Sequence, residues 1–331
     1  MTTFKVMTWN LENLFRPGSE SGPKSQTEFA QKLNSLADVI LKLDPDVLAV
    51  QEVGGTEPFN DLAAQLQGRY RHLRLSNQPD GRGIRVGFLS KLPIEESEDI
   101  VDFPLTGLPS VSGIDSKGNF VNVTRLGRGA LRIRVKPKPD FPVHLIAAHL
   151  KSKLLTFPSQ SGSARFTTND EDERARIAGI ALLQRTAEAV ALRVKANELK
   201  KRHPDDGLIV LGDLNDVTDA ATTQILQGPP GNEIGTNAFN KPDRGDEVRL
   251  FNLAPLIPQQ RRFSRIFKGN GELIDHILVS EELLPGRPRR LPEVDSHVDA
   301  VGSVPSIGDE PNKRRGEPGS DHAPVTARFE L

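Results

Sequence analysis

Apolar residues fall along the chain in short runs. Val47–Val50, Val86–Leu89, Leu145–Ala148 and Leu208–Leu211 are rich in branched side chains and apolar at successive positions. Neighbouring residues of a strand face opposite sides of its sheet, so these runs predict strands covered on both faces. Polar residues arrive at their ends: Gln51 and Glu52, Ser90 and Lys91, His149 and Lys151, Asp213 and Asn215. A fifth run, Ile277–Val279, has Asp275 and His276 just before it, and Phe4–Trp9 reads as a first strand. Elsewhere the period lengthens. Phe29, Leu33, Leu36, Ile40 and Leu43 follow helical spacing in Gln26–Leu43, which Asp44-Pro45 closes. Glu171–Arg202 predicts a long amphipathic helix with Ile177, Ile180, Leu183, Val190 and Val194 among its apolar positions. Leu131–Val135 and Val143–Ala148 flank a Lys-Pro-Lys-Pro-Asp-Phe-Pro turn, the pattern of an antiparallel hairpin.

Composition narrows the partners. Of 331 residues 36% are hydrophobic, enough for a sizeable core. Lys plus Arg number 43 against 44 Asp plus Glu, so no broad basic surface exists and a nucleic-acid partner rests on local patches. Absence of cysteine excludes disulfides, a thiolate metal site and a Cys nucleophile. No run approaches the 18 apolar residues of a membrane span, and the N-terminus lacks a signal pattern. The expectation is a cytoplasmic chain without a membrane span; a leader removed earlier would leave no trace. No oligomeric state is implied. Candidate active residues run from Asn10 to His322, so residues 1–331 read as a single domain. Stretches 155–170, 227–247 and 285–319 read as mobile loops. The last carries Arg287, Arg289, Arg290, Lys313, Arg314 and Arg315, either a solvated insertion or a basic lip that steers an anion.

Loops more often begin with Gly, Asn, Pro or Ser than with metal-ligand side chains, so the polar strand ends invite a chemical reading. Asn10 and Glu12, Asp213 and Asn215, and His149 and Lys151 are each two apart, which places each pair on one strand face. Three such pairs can converge on one cleft. A phosphodiester is anionic and repels hydroxide; a hard cation held by oxygen ligands neutralises that charge. Glu52 is the best single ligand, with Asn10, Glu12 and Asp321 beside it, and the set suits Mg²⁺ or Mn²⁺, with Ca²⁺ also compatible. Asp213 and His322 are both candidates for the base, and Asp275 can fix the His322 tautomer. His149 and Asn215 can donate to the phosphate and Lys151 can add positive charge. His72, His144, His203 and His297 lie in polar or exposed-looking contexts without a role, and His276, one past Asp275, faces away as a structural residue.

Taken in order, Thr8-Trp9-Asn10-Leu11-Glu12-Asn13, Val50-Gln51-Glu52-Val53, Arg85–Ser90, Ala148-His149-Leu150-Lys151-Ser152, Gly212-Asp213-Leu214-Asn215-Asp216, Ile274-Asp275-His276-Ile277-Leu278 and Ser320-Asp321-His322-Ala323-Pro324-Val325 resemble the endonuclease/exonuclease/phosphatase superfamily. The resemblance covers almost the whole chain. It implies the deoxyribonuclease I-like α/β fold, a four-layer sandwich of two mixed β-sheets flanked by helices. It implies metal at Asn10 and Glu52 with help from Asp321, and Glu12 as a position acidic in some relatives. It implies Asp213, Asn215 and His149 on nucleophile and phosphate, and an Asp275–His322 pair; members differ over which of Asp213 and His322 is the base. The expected activity is a divalent-metal-dependent phosphoesterase acting on a phosphate ester, either nucleic acid as a nuclease or a general phosphodiester. A phosphatase for a small or lipid-derived phosphate is the second reading, and a catalytically silent scaffold the third. Arg261–Phe267 reads as a basic strand near the phosphate or as a charged edge strand. One Trp and one Tyr argue against extensive base stacking, although 15 Phe remain.

Overall fold

Alternation along the strands decides the layers. The computed structural model describes residues 2–104, 106–108, 110–286, 288–300, 302, 304–308 and 314–331; Arg287 and Lys313 of the expected basic lip lie outside the described residues. In chain order the elements are β1 (Thr3–Leu14), α1 (Gln26–Leu43), β2 (Val47–Val53), α2 (Thr56–Gln65), β3 (His72–Leu75), β4 (Arg85–Ser90), β5 (Glu96–Asp102), a hairpin of β6 (Val111–Ile114) and β7 (Phe120–Val123), β8 (Arg125–Lys138) and β9 (Phe141–His149). There follow α3 (Glu171–Arg202), β10 (Gly207–Asp213), α4 (Ala221–Gln227), β11 (Phe251–Asn252), β12 (Arg265–Phe267), β13 (Asn270–Glu272), β14 (Asp275–Val279), β15 (Glu293–Ser296), β16 (Ser306–Ile307) and β17 (Val325–Glu330).

Two six-stranded mixed sheets result, ordered β15-β17-β1-β2-β4-β3 and β11-β14-β10-β9-β8-β5. Odd and even residues of one strand enter different cores. Phe4, Val6, Val47, Ala49, Leu145, Ala147, Ile209 and Leu211 meet between the sheets. Met7, Trp9, Leu48 and Val50 point the other way, onto Phe29, Leu33, Leu36 and Ile40 of α1. Ile146, Ala148, Leu208 and Val210 point outward onto Leu192 and Leu199 of α3. This is the four-layer deoxyribonuclease I-like sandwich that the family resemblance implied, helix on sheet on sheet on helix.

Both expected helices occupy their expected spans, but Leu183 and Val194, expected among the apolar positions of α3, are exposed, while Arg185, Glu188 and Arg193 are buried. Ser25 caps α1 by accepting the Glu28 amide, and Asp44 ends it in the left-handed region. Asp170 caps α3, which at 32 residues is about 48 Å long. The expected hairpin forms between β8 and β9, with Lys138 opposite Phe141. The short helices α2 and α4 gave no periodic signal, having too few turns to display one. Within 285–319 two segments are strands: β15 pairs with β17 and β16 with β12. Arg289 is buried there, its guanidinium 2.8 Å from Asp246 and stacked over Phe251, so it belongs to the core and not to a lip. Among the described residues, no helix is long and apolar enough to cross a membrane.

Gly212, immediately before Asp213, has φ +147, and an added Cβ would lie 1.9 Å from the Ala148 carbonyl oxygen of the neighbouring strand. Backbone cannot yield as a flexible side chain does. Gly212→Ala should therefore lower stability by about 3 kcal/mol or more, read as a lower urea midpoint. A midpoint unchanged from wild type would contradict this placement.

Candidate active site

The expected strand ends meet because their residues continue the inward-facing rows of the two sheets. β9, β10 and β14 lie side by side, with Asp213 in register with His149 on one flank and Asp275 on the other. In each of these strands the polar residue follows the parity of the inter-sheet core: Ala147 then His149, Leu211 then Asp213, Asp275 then Ile277. β1 arrives from the opposite sheet, where Val6 and Asn10 share a face. The Asn10 amide donates to Asp213 Oδ2 at 3.0 Å, closing the end of the inter-sheet space. His149 Nε2 is 3.3 Å and His322 Nε2 3.9 Å from that same oxygen, while Asp213 Oδ1 accepts the Asn215 amide N–H at 2.9 Å. Opposite parity sends His276 outward, where it meets the Asp216 carbonyl and Asn252, in keeping with a structural role.

The segment carrying His322 is stitched to β1 rather than to its own strand. Trp9 Nε1 donates to the His322 carbonyl at 2.8 Å, and Ser320 Oγ donates to the Asn10 carbonyl at 2.6 Å. Ser264 adds a second clamp: its carbonyl accepts Ala323 N–H at 2.7 Å and its hydroxyl accepts Asp275 N–H at 3.2 Å. His322 Nδ1 thereby lies 2.7 Å from Asp275 Oδ2. Neither Trp9 nor Ser264 was legible as a site residue, since one reads as core and the other as a loop hydroxyl.

Glu52 reaches the site by breaking its parity. It has φ +61 at a bulge between Val50 and Val53, and its Oε2 accepts Asn13 N–H at 2.9 Å. Seven non-glycine residues among those described have φ in the left-handed region, and five of them, Glu12, Asn13, Glu52, Asn215 and Lys268, line one cleft. Residues held in such sparsely populated backbone regions tend to cluster at functional sites. The cleft encloses about 560 Å³ and is lined also by Asn10, His149, Asp213, Asp321 and His322. Leu154, Leu155, Phe157, Phe166, Arg265, Phe267 and Ile307 line it as well.

Thus Asn10, Glu12, Glu52, His149, Asp213, Asn215, Asp321 and His322 share the cleft, with Asp275 behind His322. Lys151 does not line it. β9 ends at His149, so the two-residue repeat lapses, and the Lys151 ammonium bonds the Ser152 and Leu154 carbonyls. Burial, then the nearby Arg128, pull its pKa down to about 8. Lys153, Arg82 and Arg128 line the cleft instead. Of the basic stretch 261–267, Arg265 lines the cleft while Arg261 and Arg262 bond backbone carbonyls of Ser296 and Ile257.

Electrostatics follow from this crowding. Burial opposes charge on His322, but Asp275, Asp321 and Asp213 outweigh it and push its pKa up to about 10. Burial likewise opposes ionisation of Asp213, yet His149 and His322 hold it well below the usual carboxylate range. Desolvation raises Glu52, but His149, Arg82 and Arg128 hold it low as well. Glu12 differs: desolvation and then Asp321 push it up to about 7 against Lys32 and Arg314.

A divalent cation fits this donor set. Glu52, held below the usual carboxylate range, lines the cleft with Asn10 and Asp321 and forms no ion pair among the described residues. Among those residues two three-member groups of acids and histidines have metal-binding spacing: Asp213, Asp275 and His322 here, and His144, His203 and Asp206 elsewhere. The second lies near the other end of β9, roughly 16 Å from His149. There His144, expected in a polar or exposed context, is buried between the polar groups of Arg132 and Asp206 at 2.9 and 3.1 Å, so arginine already supplies the positive charge.

Comparison with known proteins gives the same fold. The sequence profile of the Endonuclease/Exonuclease/phosphatase family matches residues 7–322. No protein of curated function matches the sequence directly. A truncated TDP2 from Caenorhabditis elegans is similar in structure, with TM-score 0.56 and 14% identity over 99% of this chain and 98% of that one. Sphingomyelinase C from Streptomyces griseocarneus has TM-score 0.54 and 15% identity over 100% of both chains. The human Nocturnin catalytic domain has TM-score 0.53 and 15% identity, covering 99% of this chain and 94% of that one.

The Asp275–His322 contact makes one property measurable. A histidine whose pKa rises on folding stabilises the native state fully below its unfolded value, about 6.5, and that contribution fades as pH climbs through about 10. Asp275→Asn removes a principal cause of the rise. An NMR titration of the His322 ring in a chelator should show its pKa falling by at least about one unit in the variant. Identical titration curves would mean that Asp275 does not hold the imidazolium.

Proposed function

The chain belongs to the Endonuclease/Exonuclease/phosphatase family, and on that premise we propose that it is a divalent-metal-dependent phosphoesterase, using Mg²⁺ or Mn²⁺ and acting as a nuclease or general phosphodiesterase. The observation that carries this reading is Asp213, buried among Asn10, His149 and His322 at 3.0, 3.3 and 3.9 Å at the base of the cleft that Glu52 lines. Glu52 and Asn10 would hold the cation, with Asp321 beside them. Bound there, a divalent cation neutralises phosphate charge and polarises the phosphoryl oxygen.

The protein's own groups divide the remaining work by protonation state. Asp213, held ionised, orients a water and accepts its proton. His322, held protonated by Asp275, donates to phosphate oxygen as negative charge builds or moves to the leaving group. An imidazolium cannot accept the proton, so this division favours Asp213 as base. His149 and Asn215 line the same wall as further donors.

A compact substrate is the second reading. The cleft volume, about 560 Å³, falls in the range that encloses a small molecule, and the formal net charge of -1 supplies no long basic track. That favours a small or lipid-derived phosphate over an extended polymer. The two readings part on salt, since a polymer contact weakens steeply as salt rises.

Purified protein should be assayed on plasmid DNA, bis-p-nitrophenyl phosphate and p-nitrophenyl phosphate, each with Mg²⁺, Mn²⁺, Ca²⁺ or chelator. Cleavage that requires a divalent ion is expected, and Asp213→Ala or His322→Ala should each reduce kcat by about 10²-fold or more. Activity that survives full chelation, or both variants at wild-type rate, overturns the proposal. Monoester cleavage ahead of diester cleavage moves it to the second reading.

A further inference from the structure

Glu12 and Glu52 both line the cleft, yet their carboxylates are differently engaged. Glu52 gives one oxygen to the Asn13 amide and forms no ion pair among the described residues. Glu12 has both oxygens committed. Arg314 Nε donates to Oε1 at 2.9 Å and to Oε2 at 3.1 Å, and the Asp321 amide donates to Oε2 at 2.9 Å. A carboxylate already occupied by a guanidinium is poorly placed to ligate a cation as well.

The same contact leaves most of Arg314 unspent. Guanidinium has five N–H donors, and only Nε is used; among the described residues neither Nη makes a hydrogen bond. Arg314 lines the cleft alongside Asn10, Asp213 and His322. A guanidinium held at its Nε, with its paired amines open to a pocket, is the geometry that grips phosphate oxygens in a bidentate manner.

The bland account makes Arg314 a clasp for the segment that bears His322. That segment is already clasped without it. Lys32, buried on α1, donates to the Gly319 carbonyl at 2.7 Å, and Arg315 donates to the Gly22 and Ser19 carbonyls at 2.9 and 3.1 Å. Trp9 and Ser320 add the two bonds to β1 described above. A further clasp that lines the cleft is redundant as structure and useful as a ligand for an anion.

We propose that Arg314 binds the substrate's phosphate and that Glu12 is its positioning residue, not a ligand of the divalent cation. This deepens the phosphoesterase reading and rests on it: the site offers one cation at Glu52 and supplies its second positive charge from the chain.

Two readouts test the assignment. In Mn²⁺ titrations followed by EPR without substrate, Glu12→Gln and Arg314→Ala should keep the wild-type affinity within about threefold, while Glu52→Gln loses about 10-fold or more. With bis-p-nitrophenyl phosphate, Arg314→Ala should raise KM roughly 10- to 100-fold with a smaller change in kcat. Glu12→Gln should raise KM in the same direction, and the double variant should be no worse than Arg314→Ala alone, because the pair acts as one unit. Glu12→Gln losing Mn²⁺ as Glu52→Gln does, additive KM effects, or an unchanged KM in Arg314→Ala would each overturn it. Wild-type protein that cleaves no ester with any metal defeats the phosphoesterase reading instead. The Mn²⁺ titration then still judges Glu12, and calorimetric binding of inorganic phosphate judges Arg314.

Discussion

A buried carboxylate governs the arrangement of this molecule. Asp213 is 2% exposed and sits where two sheets come together. Leaving such a charge unpaired would cost several kcal/mol. Its partners come from four separate places in the chain: the Asn10 amide from the opposite sheet, His149 from the neighbouring strand, the Asn215 backbone, and His322 from the C-terminal segment. A one-residue slip of β1 against its neighbours would turn Trp9 or Leu11, now packed on the helix side, toward that charge. The geometry of the candidate site and strand register are therefore one constraint.

Around this centre, irregular backbone gathers at the cleft. β1 and β2 break at the ends that border it, and β8 shifts register at its opposite, hairpin end, between Val135 and Lys138. Bulges fall between Asn10 and Leu14 in β1 and between Val50 and Val53 in β2. Those breaks turn Glu12 and Glu52 into the cleft with positive φ. Support comes from outside the cleft. Arg185 of α3 joins Asp216 at 3.1 Å to the Lys151 carbonyl at 3.0 Å, so the long helix braces the loops that follow both β9 and β10. A regular scaffold with most of its left-handed non-glycine backbone gathered at the cleft holds these polar groups in place.

Much of the site was legible because strand ends carry regular spacing. His149, Asp213 and Asp275 could be paired with their strands, since each apolar run ends or begins beside its polar residue. Lys151 shows where the rule lapses: two-residue spacing predicts a shared face only while the strand continues, and β9 stops at His149. Glu52 shows the converse. Parity alone assigns it to the helix-covered face with Leu48 and Val50, and only a bulge carries it to the cleft. The basic stretch 285–319 is a third case, because composition does not separate a buried Arg289, paired with Asp246, from a cleft-lining Arg314 paired with Glu12.

By itself, then, the sequence determined the two long helices, the main strands and the identity of most polar groups at the sheet ends, which follow from local periodicity that a linear chain carries in full. The layers came from its resemblance to a known family, not from periodicity. Only the tertiary structure decided which of those groups face one another, that Trp9 and Ser264 hold the His322 segment, and that Arg314 meets Glu12 from 302 residues away. Such contacts depend on two sheets closing face to face. No pattern of neighbouring residues encodes the distance between segments that pack together only after the chain has folded.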